Sequence, residues 1–114
     1  MLLNQELRDS CLILRPTGRI DSMSASQLAR VVSEQIEAGI KHIVLDCSDM
    51  EFINSSGLRV VLLAGKRLKA VGGGLALACL RDMVREIFEM IGFIALFPTA
   101  VDLDDALQQM ERTA

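Results

Sequence analysis

The stretch HIVLDCSDMEFINSSGL, residues 42–58, decides the fold of this 114-residue chain. Residues 42–46 form a short, β-branched apolar run, which is typical of a strand buried on both faces of a parallel sheet. The loop that leaves this strand extends to Asn54, and apolar residues at helical spacing begin at or beside Ser55. A buried strand that leads through a polar loop into a helix predicts an α/β domain.

Upstream of this stretch, the sequence predicts two strands and one helix. Residues 1–8 and 11–15 read as strands, and the short turn near Asp9 and Ser10 makes them an antiparallel hairpin. The Pro-Thr-Gly segment at 16–18 is expected to break the second strand, with 19–21 following as a loop. Ser24, with Gln27 three residues later, resembles a capping box that starts the first helix, which a glycine at position 39 closes.

Downstream, strands and helices continue to alternate. The second helix is expected to run from Ser55 to about Val71, where three glycines stop it, and residues 75–80 form the next strand. Asp82 is expected to cap a third helix, residues 93–97 to form a last strand, and Asp102 to start a final helix. The order ββαβαβαβα predicts one α/β domain over residues 1–114, a mixed sheet with an N-terminal antiparallel hairpin and then parallel strands joined by right-handed helical crossovers.

Composition restricts the class of protein. A hydrophobic content of 51% excludes intrinsic disorder, and the longest strongly apolar stretches, residues 60–64 and 90–97, fall short of the roughly 20 residues of a membrane-spanning helix. The first residues lack the basic region and cleavage site of a signal peptide, so we expect a soluble, cytoplasmic protein with no membrane partner. A net charge of −3 and the lack of Trp and Tyr argue against nucleic acid as a partner. Three widely spaced cysteines predict buried, reduced thiols.

Ligands of open α/β sheets bind beyond the carboxyl ends of the parallel strands, so the loop after residue 46 is the place where chemistry is expected. Asp46, Asp49 and Glu51 could supply oxygen ligands to a cation, but loop carboxylates are usually solvated, and we expect no metal. The glycines at 72–74 lack the Lys and Ser/Thr of a phosphate-binding loop, and His42 has no evident nucleophile partner. We therefore expect no cofactor and no catalytic residues.

Residues 52–58, Phe-Ile-Asn-Ser-Ser-Gly-Leu, resemble the signature of the STAS domain, the fold of bacterial anti-sigma factor antagonists. The typical pattern is an apolar strand, an acidic residue, a short loop, and then Phe-(Met/Ile)-Asp-Ser-(Ser/Thr)-Gly-Leu opening a helix. The Thr-Gly-Arg-Ile-Asp segment at 17–21 and the Gly-Gly-Gly-Leu segment at 72–75 also resemble family motifs, as do residues 84–88 and 91–93. These matches occur in the family's order and spacing, and they extend the resemblance over the whole chain.

This resemblance implies a regulatory switch and not an enzyme. A family antagonist binds an anti-sigma factor that is also a serine kinase, which releases the sigma factor. The kinase disables the antagonist by phosphorylating the first serine of the motif, here Ser55, and a serine phosphatase restores it. We expect a monomer when free, with a partner-binding surface in two segments. The residues implied are Asp21, Ser22 and Met23 in the first segment, and Asn54, Ser56, Gly57, Leu58 and Arg59 in the second.

The position of Ser55 suits a reversible phosphate. A serine at the first position of a helix lies among unpaired backbone N–H groups, which would stabilise the phosphate and leave the helix intact. The added charge of roughly −1.5 to −2 would exclude a partner surface matched to a neutral hydroxyl. Two residues depart from the family pattern, because Asn54 replaces the usual Asp and Arg59 replaces a small residue. Both departures make this end less negative and bear on which kinase recognises it.

Other interpretations stay open at this point. Asn54, Ser55 and Ser56 could serve only to cap the helix, with the domain acting as a non-phosphorylated STAS scaffold in a larger signalling assembly. A small enzyme or nucleotide binder is a third possibility, which the missing phosphate loop argues against. Met23 and Met50, both predicted in loops, are further candidates for partner contacts.

Overall fold

The computed structural model describes residues 1–113, with side chains as far as residue 110. Its elements are β1 (Leu2–Arg8), β2 (Cys11–Ile20), α1 (Ser22–Glu37), β3 (His42–Asp46), β4 (Met50–Ile53), α2 (Ser55–Ala70), β5 (Gly74–Ala78), α3 (Asp82–Met90), α4 (Phe93–Leu96), β6 (Thr99–Ala100) and α5 (Leu103–Thr113). The described residues contain the predicted helices and strands except the strand predicted at 93–97, and they add β4 and α4, which the predicted order lacks.

One mixed sheet organises these elements. Its order is β1-β2-β3-β5-β6, and β4 pairs with the far end of β2. β1 is antiparallel to β2, whereas β3, β4, β5 and β6 all join through parallel pairs. The predicted fold class, an antiparallel hairpin followed by parallel strands in one α/β domain, is confirmed.

The second strand is longer than predicted, so the expected break at 16–18 and the loop at 19–20 are wrong. β2 pairs with β3 as far as Leu14 and with β4 from Gly18 onward. Pro16 lies between these two parallel partners and opposite Leu3 of β1, where its missing N–H removes no parallel ladder bond. Gly18 adopts a φ of 92°, and the register shifts directly after it. β2 therefore pairs with β3 along its first half and with β4 along its second half.

The loop expected at 47–54 contains β4, which the sequence did not reveal. Met50 and Ile53 are buried, whereas Glu51 is exposed, and four residues are too few to show a strand periodicity. Met50 therefore packs in the core, and its predicted role as a loop contact is wrong.

Three local predictions are corrected after β2. α1 begins at Ser22 with Asp21 as its N-cap, not at Ser24, and Asp82 is the first residue of α3 and not its cap. Residues 93–97 contain the short helix α4, and the last strand is β6. A helical turn places Phe93 and Phe97 on one face, and their rings meet edge to face at 5.5 Å. This aromatic packing overrides the strand-like composition of the segment.

The core lies on both faces of the sheet, with α1, α2 and α3 on one face and α5 on the other. Within β3, Ile43 and Leu45 pack toward α1, α2 and α3. Val44 points to the opposite face and packs in the same cluster as Ala106 of α5. The predicted burial of this strand on both faces is confirmed. No helix among the described residues has the length and apolarity needed to span a membrane.

The cysteines are free thiols, as expected, but their burial differs. Cys11 and Cys47 are buried, whereas Cys79 is only half-buried and lies directly after β5 with a φ of 59°. Burial raises the pKa of the Cys11 and Cys79 thiols to about 11. Both are therefore protonated near neutral pH.

Candidate functional site

The candidate site forms where two parallel strands end side by side. The last paired residues of β2 and β4 are Ile20 and Ile53. Because the strands are parallel, the next residues, Asp21 and Asn54, emerge at the same edge of the sheet. Each of them is the N-cap of the helix that follows. The two segments that the sequence predicted as a partner surface are thus adjacent through strand register.

Asn54 fixes the start of α2. Its backbone is extended, its Oδ1 accepts a hydrogen bond from the backbone N–H of Gly57 at 3.1 Å, and its own N–H donates to the carbonyl of Ile20 at 3.0 Å. An N-cap of this kind satisfies one of the helix N–H groups that would otherwise lack a partner. Ser55 is the first helical residue, and its side chain is exposed. Its hydroxyl is therefore held on a capped helix and faces outward.

Asp21 plays the same part for α1 with a charged group. Its Oδ1 accepts hydrogen bonds from the backbone N–H and the hydroxyl of Ser24, both at 2.9 Å. These hydrogen bonds lower the pKa of Asp21, so its carboxylate is ionised at neutral pH. Ser22 and Met23 follow in the first turn, and both are exposed, Met23 to 84%.

A contact between side chains joins the two helix starts. The hydroxyl oxygens of Ser22 and Ser56 lie 3.4 Å apart, at hydrogen-bond distance. The register also makes Asp21-Ser22 the counterpart of Asn54-Ser55, since each pair is an N-cap followed by the first helical residue. The N-cap of α1 is thus acidic, whereas the N-cap of α2 is neutral.

Gly57 is required by the close approach of α2 to the strand ends. A Cβ atom at this position would lie 2.6 Å from Cγ1 of Ile53 and 2.7 Å from Cγ2 of Ile20. Gly57 is itself buried, so it contributes to the surface by positioning and not by contact. Leu58 is half-buried and packs against the core, while Arg59 is exposed beside the helix start.

Two residues at this edge were missed as candidates. Arg19 and Phe52 are paired neighbours in β2 and β4, and the guanidinium of Arg19 lies 4.5 Å from the centre of the Phe52 ring. This distance is that of a cation–π contact. Both belong to motifs that the sequence showed, but their pairing depends on the unpredicted strand β4.

The family model of the STAS domain matches residues 3–106. The chain belongs to the STAS domain family. The resemblance found in the sequence is confirmed, and the paired helix starts after β2 and β4 are a feature of this STAS domain.

Relatives of this STAS domain carry consistent names. A protein of Bordetella bronchiseptica named "Putative anti-sigma factor antagonist BtrV" is 41% identical over 100 residues, which cover 88% of this chain and 86% of that protein. A crystal structure of a Thermotoga maritima protein with the same description matches with a TM-score of 0.92 at 22% identity, covering 96% of this chain and 95% of that one. The Bacillus protein SpoIIAA, in its phosphorylated form, matches with a TM-score of 0.77 at 22% identity and coverages of 95% and 98%. At these identities the two solved structures show the shared fold.

The three carboxylates considered as metal ligands in this STAS domain, Asp46, Asp49 and Glu51, do not form a cluster that could hold a metal ion. Asp46 is buried and accepts hydrogen bonds from Nε of Arg15 at 2.9 Å and from the backbone N–H of Ser48 at 3.0 Å. Burial raises the pKa of Asp46, but these hydrogen bonds outweigh it and hold the pKa below its ordinary value. Asp49 and Glu51 are exposed. The described residues contain no group of His, Cys, Asp and Glu side chains that could hold a metal ion.

Proposed function

We propose that this STAS domain is an anti-sigma factor antagonist that binds a serine kinase acting as an anti-sigma factor. In this proposal, phosphorylation of Ser55 ends the binding and a serine phosphatase restores it. The observation that carries the proposal is the exposed Ser55 hydroxyl on the first residue of a capped helix, next to a second helix start. The names of the relatives support it, and so do the two structures of SpoIIAA, one of the phosphorylated form and one of the unphosphorylated form.

The charges around Ser55 explain how a phosphate would act. The first turn of α2 offers backbone N–H donors and the positive end of the helix dipole, so a phosphate there leaves the helix folded. Asp21 at the adjacent helix start is already ionised. A phosphoserine would add roughly −1.5 to −2 charges beside it, and a partner surface matched to one carboxylate and a neutral hydroxyl would be repelled.

The partner surface is proposed to consist of exposed and half-buried residues at both helix starts. Asp21, Ser22 and Met23 contribute from α1, and Asn54, Ser56, Leu58 and Arg59 from α2, with Gly57 acting through the position of the helix. Asp21 supplies one negative charge at the neighbouring helix start, while the position directly before the serine carries the neutral Asn54. We expect the cognate kinase to recognise a motif with a neutral residue before the serine.

Phosphate mapping tests the proposal. The protein is incubated with ATP and each candidate serine kinase from its own genome, and the product is analysed by mass spectrometry. We expect one phosphate on Ser55, none on Ser55→Ala, and unchanged transfer to the control Ser10→Ala, which changes an exposed serine outside the proposed partner surface. Phosphate on another residue, or none with every kinase, would count against the switch. A large stable assembly in size-exclusion chromatography would then favour the scaffold.

Binding affinity supplies a second test. Ser55→Asp should weaken kinase binding at least about tenfold, whereas Ser55→Asn, of equal size and neutral, should retain it. Equal weakening by both variants would show that shape and not charge governs the contact.

A further inference from the structure

A cavity of about 400 Å³ lies between the second half of α2, the start of β5 and the segment at 96–98. Its walls are mainly apolar and include Leu62, Leu75, Leu96 and Phe97. Pockets for small molecules in proteins usually span about 300–1,000 Å³, with apolar walls and a few polar groups. This cavity has the size and lining of a small ligand site.

Close packing at two glycines forms opposite walls of the cavity. A Cβ atom on Gly65 would lie 2.3 Å from Cε1 of Phe97, so the ring rests directly on α2. Phe97 is held in turn by its edge-to-face contact with Phe93. On the other side, a Cβ atom on Gly73 would lie 1.7 Å from the carbonyl oxygen of Lys41. The backbone that enters β5 is therefore in close contact with the backbone that enters β3.

Two lysines give the cavity a positive rim. Lys66 and Lys69 are three residues apart on α2 and so lie on the same side of the helix, where both are exposed and line the cavity. Among the lining residues that the structure describes, none has an acidic side chain. The ion pairs in the part of the chain that the structure describes involve other residues. An anionic head group would therefore find two cations at the mouth of an apolar space.

We infer that this cavity binds a single-chain carboxylate amphiphile, a free fatty acid of medium chain length. The chain lies among Leu62, Leu75 and Phe97, and the carboxylate pairs with Lys66 and Lys69. A volume near the lower end of ligand sites accommodates one such chain and not a two-chain lipid. Ser55 is 7 to 14 residues away along α2, or roughly 10–20 Å, so this site is separate from the proposed switch.

Calorimetric titration of the whole protein with decanoate and decanol, below their aggregation concentrations, tests the inference. Decanoate should bind with a Kd below about 100 μM, and decanol, which has the same chain without the charge, at least about tenfold more weakly. The double variant Lys66→Glu/Lys69→Glu should lose at least about tenfold in decanoate affinity. Arg30→Glu, a charge reversal at an exposed residue of α1 outside the lining, is the control and should bind as the wild type does.

A second pair of variants tests the apolar wall without disturbing the core. Leu96 lines the cavity and is 60% exposed, so Leu96→Asp should fold and reject decanoate. Val101→Asp, at a 77% exposed residue outside the lining, should bind normally. Absence of decanoate binding at about 1 mM, equal affinity for decanol, or wild-type binding by the lysine double variant would each overturn the inference. None of these three outcomes depends on phosphorylation of Ser55.

Discussion

Replacing Gly57 with alanine tests the packing that places Ser55. The new methyl group would lie 2.6 Å from Ile53 Cγ1 and 2.7 Å from Ile20 Cγ2. Real Cβ atoms do not approach side-chain carbons this closely, so something must move. Both isoleucines are almost completely buried, at 1% and 0% exposure, and have no free space to retreat into. We therefore expect the N-terminal turn of α2 to be pushed away from the strand ends.

The magnitude follows from two opposing effects. Overfilling a packed core typically costs about 1–3 kcal/mol, and two simultaneous contacts at these distances place Gly57→Ala toward the upper end. Alanine in place of a helical glycine stabilises the helix by about 1 kcal/mol. The steric effect is the larger, so the free energy of unfolding should fall by about 1–2 kcal/mol. For a domain of this size the Tm should drop by roughly 4–8 °C.

Urea unfolding followed by far-UV circular dichroism measures this loss, since the chain has no Trp or Tyr to report by fluorescence. A double-mutant cycle with Ile53→Ala separates sterics from other causes. Ile53→Ala alone should cost about 2–5 kcal/mol, and it removes both Cγ1 and Cδ1, the two Ile53 atoms that a methyl group on Gly57 would meet. The double variant should therefore be more stable than the sum of both changes by at least about 0.5 kcal/mol. A stability of Gly57→Ala equal to or above the wild type, or strict additivity in the cycle, would refute the reasoning.

Three further predictions concern single groups. Asn54→Ala should lower the free energy of unfolding by about 1 kcal/mol through loss of the N-cap, whereas Asn54→Asp keeps the cap and should raise it by about 0.3–1 kcal/mol at low salt, as urea titrations would show. Because the pKa of Asp46 is lowered in the folded state, its contribution to stability is present above about pH 4 and is lost as the pH falls through that lowered pKa. Arg15→Met should cost about 1–3 kcal/mol at pH 7, because buried Asp46 loses one hydrogen-bond partner and keeps the Ser48 N–H, and it should flatten this acid-side decline, measured by urea titrations between about pH 2 and 7. Cys79 should be alkylated by iodoacetamide before Cys11 and Cys47 in mass spectra, yet at least about tenfold more slowly than an unburied cysteine, because its pKa is about 11.

Local patterns that carry their own physical cause were readable in the sequence. The β-branched run at 42–46 matched β3, and the predicted start of α2 at Ser55 matched the observed one. Gly39 adopts a positive φ angle after α1, as its predicted role in closing that helix requires. The candidate residues at 21–23 and 54–59 could be named through the family motifs. Their nearness could not be derived from spacing, because Ser22 and Ser56 are 34 residues apart and meet only through strand pairing.

Where prediction failed, a long-range contact outweighed a local signal. Pro16 suggested the end of a strand. β2 continues past it because the pairing with β3 ends just before Pro16 and the pairing with β4 begins just after it. The apolar segment from Phe93 suggested a strand, but aromatic packing among Phe88, Phe93 and Phe97 favours a helical turn. β4 has only four residues and is defined by its hydrogen bonds to β2, which no local pattern encodes.

The sequence alone determined the fold class, the start of α2, the family, and the serine for which a modification is proposed. Each of these depends on residues close together in the chain, whose periodicity, capping preferences and motif order act locally. Only the tertiary structure decided what surrounds that serine: the neighbouring helix start with Asp21 and Ser22, the buried contact that requires Gly57, and the lysine-rimmed cavity at the far end of α2. These features arise from parallel strand register and close packing, which join residues that are distant in sequence.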